Sequence, residues 1–258
     1  INFLNNKGKS IVNINLKLDE PINGYDESVF FNQPIFERFL RSEAIKHKNI
    51  DIKLGYKLTN IDAQESINNL ILLNTNNEQK EHVTCNYLLA CDGANSFVRK
   101  ALNIESFDYN CDQDWVVVDY QVDDKYKINT DRYQICDYKR PTTIVPITGQ
   151  HVRWEFKVNS DDNLETLEDE KNIRKMMQPH LWRLNPEIPL HSGKLLRSSA
   201  YTFHGLLANN FRFNNCYLLG DAAHQMPPFL GQGLCQGIKD SYNFCLLYTS
   251  PSPRDVCS

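Results

Sequence analysis

One segment restricts the fold more than any other: Leu218-Leu219-Gly220-Asp221-Ala222-Ala223-His224-Gln225-Met226-Pro227-Pro228-Phe229-Leu230-Gly231-Gln232-Gly233. A short apolar strand, Cys216 to Leu219, delivers Gly220-Asp221. Small residues then leave room for close ligand approach, and Pro227-Pro228 stiffens the loop. Gly231-Gln232-Gly233 opens a helix whose free N–H groups and positive dipole end favour negative charge. A reduced flavin carries such charge on its pyrimidine side, and Asp221 is placed to hold a ribityl chain by hydrogen bonds.

A second segment, Cys91-Asp92-Gly93-Ala94-Asn95-Ser96-Phe97-Val98-Arg99, ends a strand in Asp-Gly and turns into a helix. Ligands of open α/β sheets bind at the carboxyl ends of strands. Asp92 can accept from ribose hydroxyls or orient a neighbour that does, and Gly93 permits a tight turn. Asp-Gly after a strand is equally compatible with a simple turn.

Composition excludes several classes. The chain has 258 residues and a net charge of −4, with 41% hydrophobic and 23% charged residues. No apolar run is long enough for a membrane span. The near-neutral balance argues against nucleic acid as a partner. The eight cysteines form no C-x-x-C pair and no Cys/His cluster of zinc spacing, so no metal is expected. With no signal peptide, reduced thiols in a cytoplasm are the expectation.

Periodicity predicts a half-buried strand over Ser10 to Leu18 and a helix over Pro34 to His47 with a stripe of Ile35, Phe36, Phe39, Leu40 and Ala44. Strands are predicted over Ile50 to Leu58, Leu70 to Asn74 and His82 to Cys91, the last buried on both faces. A short helix follows over Asn95 to Leu102. Trp115 to Val122, Arg132 to Tyr138, Thr142 to Ile147 and Val152 to Val158 read as an antiparallel sheet. The acidic run from Asp161 to Glu170 opens a helix reaching about Trp182. Gly193 to Phe203 returns to strand, and Gly231 to Phe244 starts a final helix.

Together Asp92-Gly93 and Gly220-Asp221 resemble the D-G and G-D motifs of the class A flavoprotein aromatic hydroxylases. Gln33-Pro34, followed by Glu37 and Leu40, is similar to that family's flavin-contacting Gln segment. The likeness covers nearly all of residues 1–244. Leu88 to Gly93, Ser96 to Arg99, Trp115 to Asp119 and Arg153 to Phe156 point to its 3-(3-hydroxyphenyl)propionate-hydroxylating branch. The resemblance implies an α/β (mixed α+β) fold: an incomplete Rossmann-like, GR2-type FAD-binding domain with an inserted antiparallel β-sheet substrate domain. Residues 1–105 and 206–244 would belong to the first and 106–205 to the second. It implies FAD as cofactor, NADPH or NADH as co-substrate, and a small aromatic substrate with O₂. It also allows a homodimer. The implied flavin contacts are Gln33, Asp92, Gly93, Leu219, Gly220, Asp221, Ala222, Ala223, His224, Pro227, Pro228, Gly231, Gln232 and Gly233. The implied reaction is hydroxylation of a phenolic acid through a flavin C4a-hydroperoxide.

The sequence departs from that pattern. It contains no G-x-G-x-x-G, the element that admits the FAD pyrophosphate. It begins at Ile1, and Cys245 to Asp255 looks like the translation of a transposase sequencing adapter, so 245–258 is expected to be a non-native tail that interrupts the last helix. The polypeptide is accordingly expected to be an inactive fragment binding FAD weakly or not at all. His224 is a candidate acid/base group, with a structural role preferred. Arg197, Tyr201 and His204 are candidates to face a substrate carboxylate, and Tyr133 and Tyr138 are read as core residues. Competing readings are a polyketide- or antibiotic-modifying monooxygenase, a flavin reductase-like dehydrogenase, and a non-enzymatic carrier on the same fold.

Overall fold

The computed structural model describes residues 1–15, 24–25, 29–228 and 231–249. Along the chain run β1 (Asn2–Asn5), β2 (Ser10–Asn13), α1 (Gln33–Ala44), β3 (Tyr56–Ala63), β4 (Asn68–Asn74), β5 (Lys80–Cys85) and β6 (Leu88–Ala90). Then come α2 (Phe97–Ala101), β7 (Ser106–Asp108), β8 (Gln113–Gln121), β9 (Tyr133–Cys136), β10 (Thr142–Pro146) and β11 (His151–Lys157). The last third holds α3 (Leu164–Leu167), α4 (Glu170–Met177), β12 (Lys194–Phe203), β13 (Leu206–Ala208), β14 (Arg212–Phe213), β15 (Cys216–Leu218), β16 (His224–Gln225) and α5 (Gly233–Thr249). They form a mixed α/β chain of two compact units, one from Ile1–Asp51 with Gln113–Thr202, the other from Ile52–Asp112 with the chain from Phe203 on.

The first unit is built on a seven-stranded sheet of order β12-β8-β11-β10-β9-β1-β2. Its centre is antiparallel, as the close succession of strand candidates from Trp115 to Val158 predicts. Successive side chains of a strand point to opposite faces. Val116, Val118 and Tyr120 of β8 therefore join Val152, Trp154 and Phe156 of β11 in one core, closed by Ile173 and Met177 of α4. Trp154 is fully buried and stacks on Phe156 at 6.1 Å. Residues 1–51 belong to this unit rather than to the flavin half expected for 1–105. The reason is the parallel pairing of β1 with β9, Phe3 opposite Gln134, which makes the N-terminal hairpin the sheet's far edge.

Other boundaries shift for local reasons. The strand expected over Ser10 to Leu18 is β2, all exposed, and Leu16 and Leu18 lie outside the described residues. The stripe on α1 buries no side chain, and Ile35 and Phe39 are more than half exposed. The helix expected from Asp161 to Trp182 is three pieces: α3, α4 capped by Asp169 accepting from Lys171 N at 3.1 Å, and a 3₁₀ turn over Gln178–Arg183. Pro179 lacks the N–H that would prolong α4.

That 3₁₀ turn carries a titration signature. Burial, then the Arg183 guanidinium, push His180 down from 6.5 to about 4. The unfolded chain thus binds one proton more than the folded one between those values. Stability is full above the unfolded value and falls as pH drops from about 6.5 to about 4, by about 2 kcal/mol after allowance for partial exposure. Urea unfolding of wild type and His180→Gln across this window is expected to show the extra acid loss in wild type alone. Parallel curves would remove His180 from the account.

The second unit holds three three-stranded sheets, β3-β4-β5, β14-β15-β6 and β16-β13-β7. The run predicted as one buried strand from His82 to Cys91 breaks into β5 and β6, which enter different sheets, and Leu89 is 42% exposed. Fully buried Asn68 donates from Nδ2 to the carbonyls of Cys85 and Asn86 at 3.5 and 3.3 Å, which fixes the break. The last helix continues through Cys245 to Thr249, where an interruption at Phe244 was expected. Tyr248 packs on Phe244 and meets the Tyr217 hydroxyl.

Candidate functional site

β6 and β15 lie side by side and parallel, Cys216 opposite Leu88 and Leu218 opposite Ala90. Their carboxyl ends carry the two motifs, so Asp92-Gly93 and Gly220-Asp221 leave one sheet edge together. Leu219 N extends the ladder to Ala90 O at 3.0 Å. Val98, Leu218, Ala222 and Ala223 pack beneath with Ala90 and Ala208 in a small core. The alanines are small enough for the two turns to close on one another, which is the local reason for the Asp-Ala-Ala spelling.

The first turn is held by its own polar groups. Asp92 Oδ2 accepts from Val98 N at 3.1 Å, and Ser96 Oγ accepts from Arg99 N at 3.0 Å, so both cap α2. Gly93 sits at φ +78°. Asp92 remains exposed beyond this bond. Arg99, quoted in the sequence only as part of a likeness, is the residue that joins the motifs. Only 8% exposed, it donates from Nη1 to Ala222 O at 2.8 Å and from Nη2 to Ala94 O at 2.7 Å. Gln225 Nε2 reaches the same Ala94 O at 2.9 Å. The planar guanidinium serves the two carbonyls from two separate nitrogens of its fork. Its signal in the sequence is an Arg directly after the buried Val98 on a helix too short to bury a charge without purpose.

The second turn is a 3₁₀ turn over Gly220–Ala222 packed on α5. Gly220 has φ +58°, and a Cβ there would lie 3.6 Å from the Gly237 Cα, so turn and helix touch through backbone. Asp221 is exposed and makes no hydrogen bond or ion pair with any described residue. Its Oδ1 lies 3.9 Å from where a Cβ of Gly233 would be, which sets the carboxylate beside the first turn of α5. Gly231, at φ +64°, donates to Pro228 O at 2.8 Å, and Gln232 O accepts from Gln236 N at 2.9 Å as the helix begins. Pro227 and Pro228 are half-buried; Phe229 and Leu230 lie outside the described residues.

His224 is half-buried, with Nε2 2.8 Å from Asp240 Oδ2 and its ring 6.0 Å from Phe211. Burial, then the carboxylates Asp92 and Asp240, push the Cys91 thiol up and leave it a poor nucleophile. The structure thus brings together thirteen of the fourteen expected flavin contacts. Gln33 belongs to the other unit, where its amide donates to Glu37 at 2.9 Å.

The face of the seven-stranded sheet turned away from the core carries a polar cluster beside the buried Trp115 and Val117. Burial alone would raise Asp119, but Arg153, bidentate at 3.0 and 3.1 Å, and His151 at 3.1 Å hold it low. Glu155 is raised by burial, and so is Tyr201, near Arg153. Of the sequence candidates for a substrate carboxylate, Tyr201 joins this cluster. Arg197 is exposed and His204 pairs with Asp112 at 2.9 Å. Tyr133 packs at the core edge, whereas Tyr138, expected in a core, is 82% exposed.

Comparison with known proteins agrees with this geometry. The FAD binding domain family matches residues 4–248. A probable NADH-specific resorcinol 4-hydroxylase of Rhodococcus jostii (strain RHA1) is 30% identical over 238 residues, 92% of this chain and 43% of that protein. A 3-(3-hydroxy-phenyl)propionate/3-hydroxycinnamic acid hydroxylase of Escherichia coli (strain K12 / DH10B) is 31% identical over 242 residues, 93% of this chain and 42% of the relative. The chain thus spans less than half the length of these relatives. Among solved structures, aklavinone-11 hydroxylase with FAD and aklavinone superposes with a TM-score of 0.70 at 19% identity, over 84% of this chain and 42% of that one. The p-nitrophenol 4-monooxygenase of Pseudomonas putida DLL-E4 gives 0.71 at 17% identity, over 87% and 56%. At such identities these two speak for the fold.

Proposed function

The chain belongs to the FAD binding domain family, and from that premise we propose that it is part of an NAD(P)H-consuming flavoprotein monooxygenase that hydroxylates a phenolic aromatic acid. The observation that carries this reading is the exposed, unpaired Asp221 carboxylate at the end of a central parallel strand, beside a helix start and between left-handed glycines. These residues fit the ribityl and isoalloxazine parts of FAD. An unpaired carboxylate accepts from ribityl hydroxyls, and the helix start at Gln232 and Gly233 suits the negative edge of a reduced ring. When bound, FAD accepts hydride from the nicotinamide and activates O₂ for transfer to the ring.

The chain's own residues have four tasks in this reading. Asp221 orients the ribityl chain. Asp92 and Ser96 fix the first turn, and Arg99 ties it to the second. Pro227 and Pro228 stiffen the loop that keeps water from the reacting edge. The two named relatives, a probable resorcinol hydroxylase and a hydroxyphenyl propionate hydroxylase, support a phenolic substrate, and the second supports the acid. The seven cysteines among the described residues are free, which supports a reducing compartment such as the cytoplasm, and no helix among the described residues is long and apolar enough to cross a membrane.

The test is a panel of phenolic acids given to the longer protein from the source gene, scored for NAD(P)H oxidation matched by hydroxylated product. Coupled turnover with a phenolic acid is expected; oxidation without product, or activity on polycyclic ketides alone, would overturn the substrate class. Asp221→Ala in the present chain is expected to weaken FMN binding about tenfold, the worth of a charge-assisted hydrogen bond, with the unfolding midpoint unchanged. Unaltered affinity would remove Asp221 from the site.

A further inference from the structure

We infer that Asp240 is a positioning residue for the flavin-binding turn: from α5 it clamps the Gly220 amide and the His224 ring with one carboxylate oxygen, and so fixes where Asp221 points. This rests on the flavin reading above. Asp240 Oδ2 accepts from Gly220 N at 2.8 Å and lies 2.8 Å from His224 Nε2. The two donors bracket Asp221, one residue before it and three after, so the segment that carries the exposed carboxylate is pinned at both ends. Asp240 itself follows Gly237 by three positions and lies on the same helix face. At Gly237 the helix backbone meets the turn, a Cβ there falling 3.5 Å from the Gly220 Cα. Backbone contact sets the distance between turn and helix, and the carboxylate sets the rotation.

The chemistry suits the task. A carboxylate accepting from two N–H groups makes charge-assisted bonds, shorter and stronger than neutral ones. Asp240 is half-buried, with side-chain exposure of 23%, and His224 is less exposed at 16%, so water competes weakly. A neutral His224 bonded this way must carry its proton on Nε2, which leaves Nδ1 as the acceptor. The clamp therefore also assigns His224: its Nε2 is committed to Asp240, and the ring braces the turn. The reach of Asp240 extends to the first motif as well, since its charge is felt at the Cys91 thiol beyond the end of β6. No other carboxylate among the described residues bonds to an amide of the second turn.

The test uses the whole 258-residue chain, labelled for NMR at glycine and histidine, with FMN as the probe. In wild type, millimolar FMN is expected to shift the Gly220 and His224 signals. Asp240→Ala is expected to speed Gly220 amide exchange about tenfold or more, move the His224 Nε2 resonance, and weaken FMN binding about tenfold, on the scale of charged hydrogen bonds. Asp240→Asn keeps shape and an acceptor and is expected to recover most of the Gly220 protection and part of the FMN affinity. It covers the case in which the alanine variant fails to fold. If Gly220 and His224 are unmoved by either variant, the clamp does not exist. If they move while FMN affinity stays at the wild-type value, the bonds are structural only and the positioning role falls, with the flavin reading intact. If wild type itself shows no FMN response at Gly220, the flavin reading of the turn fails, and the positioning role with it.

Discussion

Replacing Arg99 by alanine is expected to cost the second unit roughly 3 kcal/mol and to lower its unfolding midpoint by roughly 10 °C. The guanidinium is buried, and its two bonds of 2.7 and 2.8 Å end on carbonyls from distant parts of the chain. Alanine would take the guanidinium donor from the Ala222 carbonyl, leave the Ala94 carbonyl with Gln225 Nε2 alone, and open a cavity beside Val98 and Ala222, which are almost fully buried. Each orphaned buried acceptor costs about 1–3 kcal/mol. Arg99→Lys is expected to recover little, because the ammonium donates from a single nitrogen, whereas the guanidinium reaches the two carbonyls from two nitrogens held apart in one plane. Urea and thermal unfolding of the three proteins would measure this. A loss below about 1 kcal/mol would mean that water replaces the guanidinium and that the two turns are not tied through it.

The second large effect concerns the cofactor. The 258-residue chain is expected to lose FAD on buffer exchange and to leave purification colourless. It has no G-x-G-x-x-G, whose glycines bring backbone amides against the pyrophosphate at a helix start. What it has, Asp221 and the turn around it, addresses the ribityl and ring. The consequence is a specific ratio: FAD, FMN and riboflavin should bind this chain with affinities within about threefold, under 1 kcal/mol apart, because the adenosine phosphate half finds no partner. Flavin fluorescence titration measures all three. Tight retention of FAD, or a clear preference for FAD over FMN, would show a pyrophosphate site that the sequence motif does not reveal.

Much of this was readable from residue order alone, and the limits have physical causes. The antiparallel centre of the large sheet was legible because four strand candidates follow one another closely between residues 115 and 158, and β11 alternates Val152, Trp154 and Phe156 with polar residues. The Gly-Asp turn and the start of α5 were legible because glycine, proline and small residues each mark a backbone demand. Three things were not. The allegiance of the first 51 residues depends on a parallel pairing of β1 with a strand some 130 residues away, which leaves no local pattern. The break after β5 depends on the Asn68 amide, a polar residue that composition assigns to the surface. Arg99 and Asp240 are ordinary charged helix residues by sequence; only the meeting of distant segments gives them carbonyls and amides to hold. The stripe of α1 shows the converse, a helical periodicity correctly seen that buries no side chain.

The parallel pair of β6 and β15 also dictates when the site can exist during synthesis. β6 ends at Ala90 and its partner begins at Cys216, so about 125 residues separate the two halves of one ladder. On a ribosome adding about 5–20 residues per second, the Asp92 turn waits roughly 6–25 s for the strand that completes it. During that interval the long-range closure has gained nothing to offset its entropy, while the largely local antiparallel hairpins of β8 to β11 can already form. The intervening unit can thus mature first and bring the ends of its own loop closer, making a slow, non-local pairing an easier one.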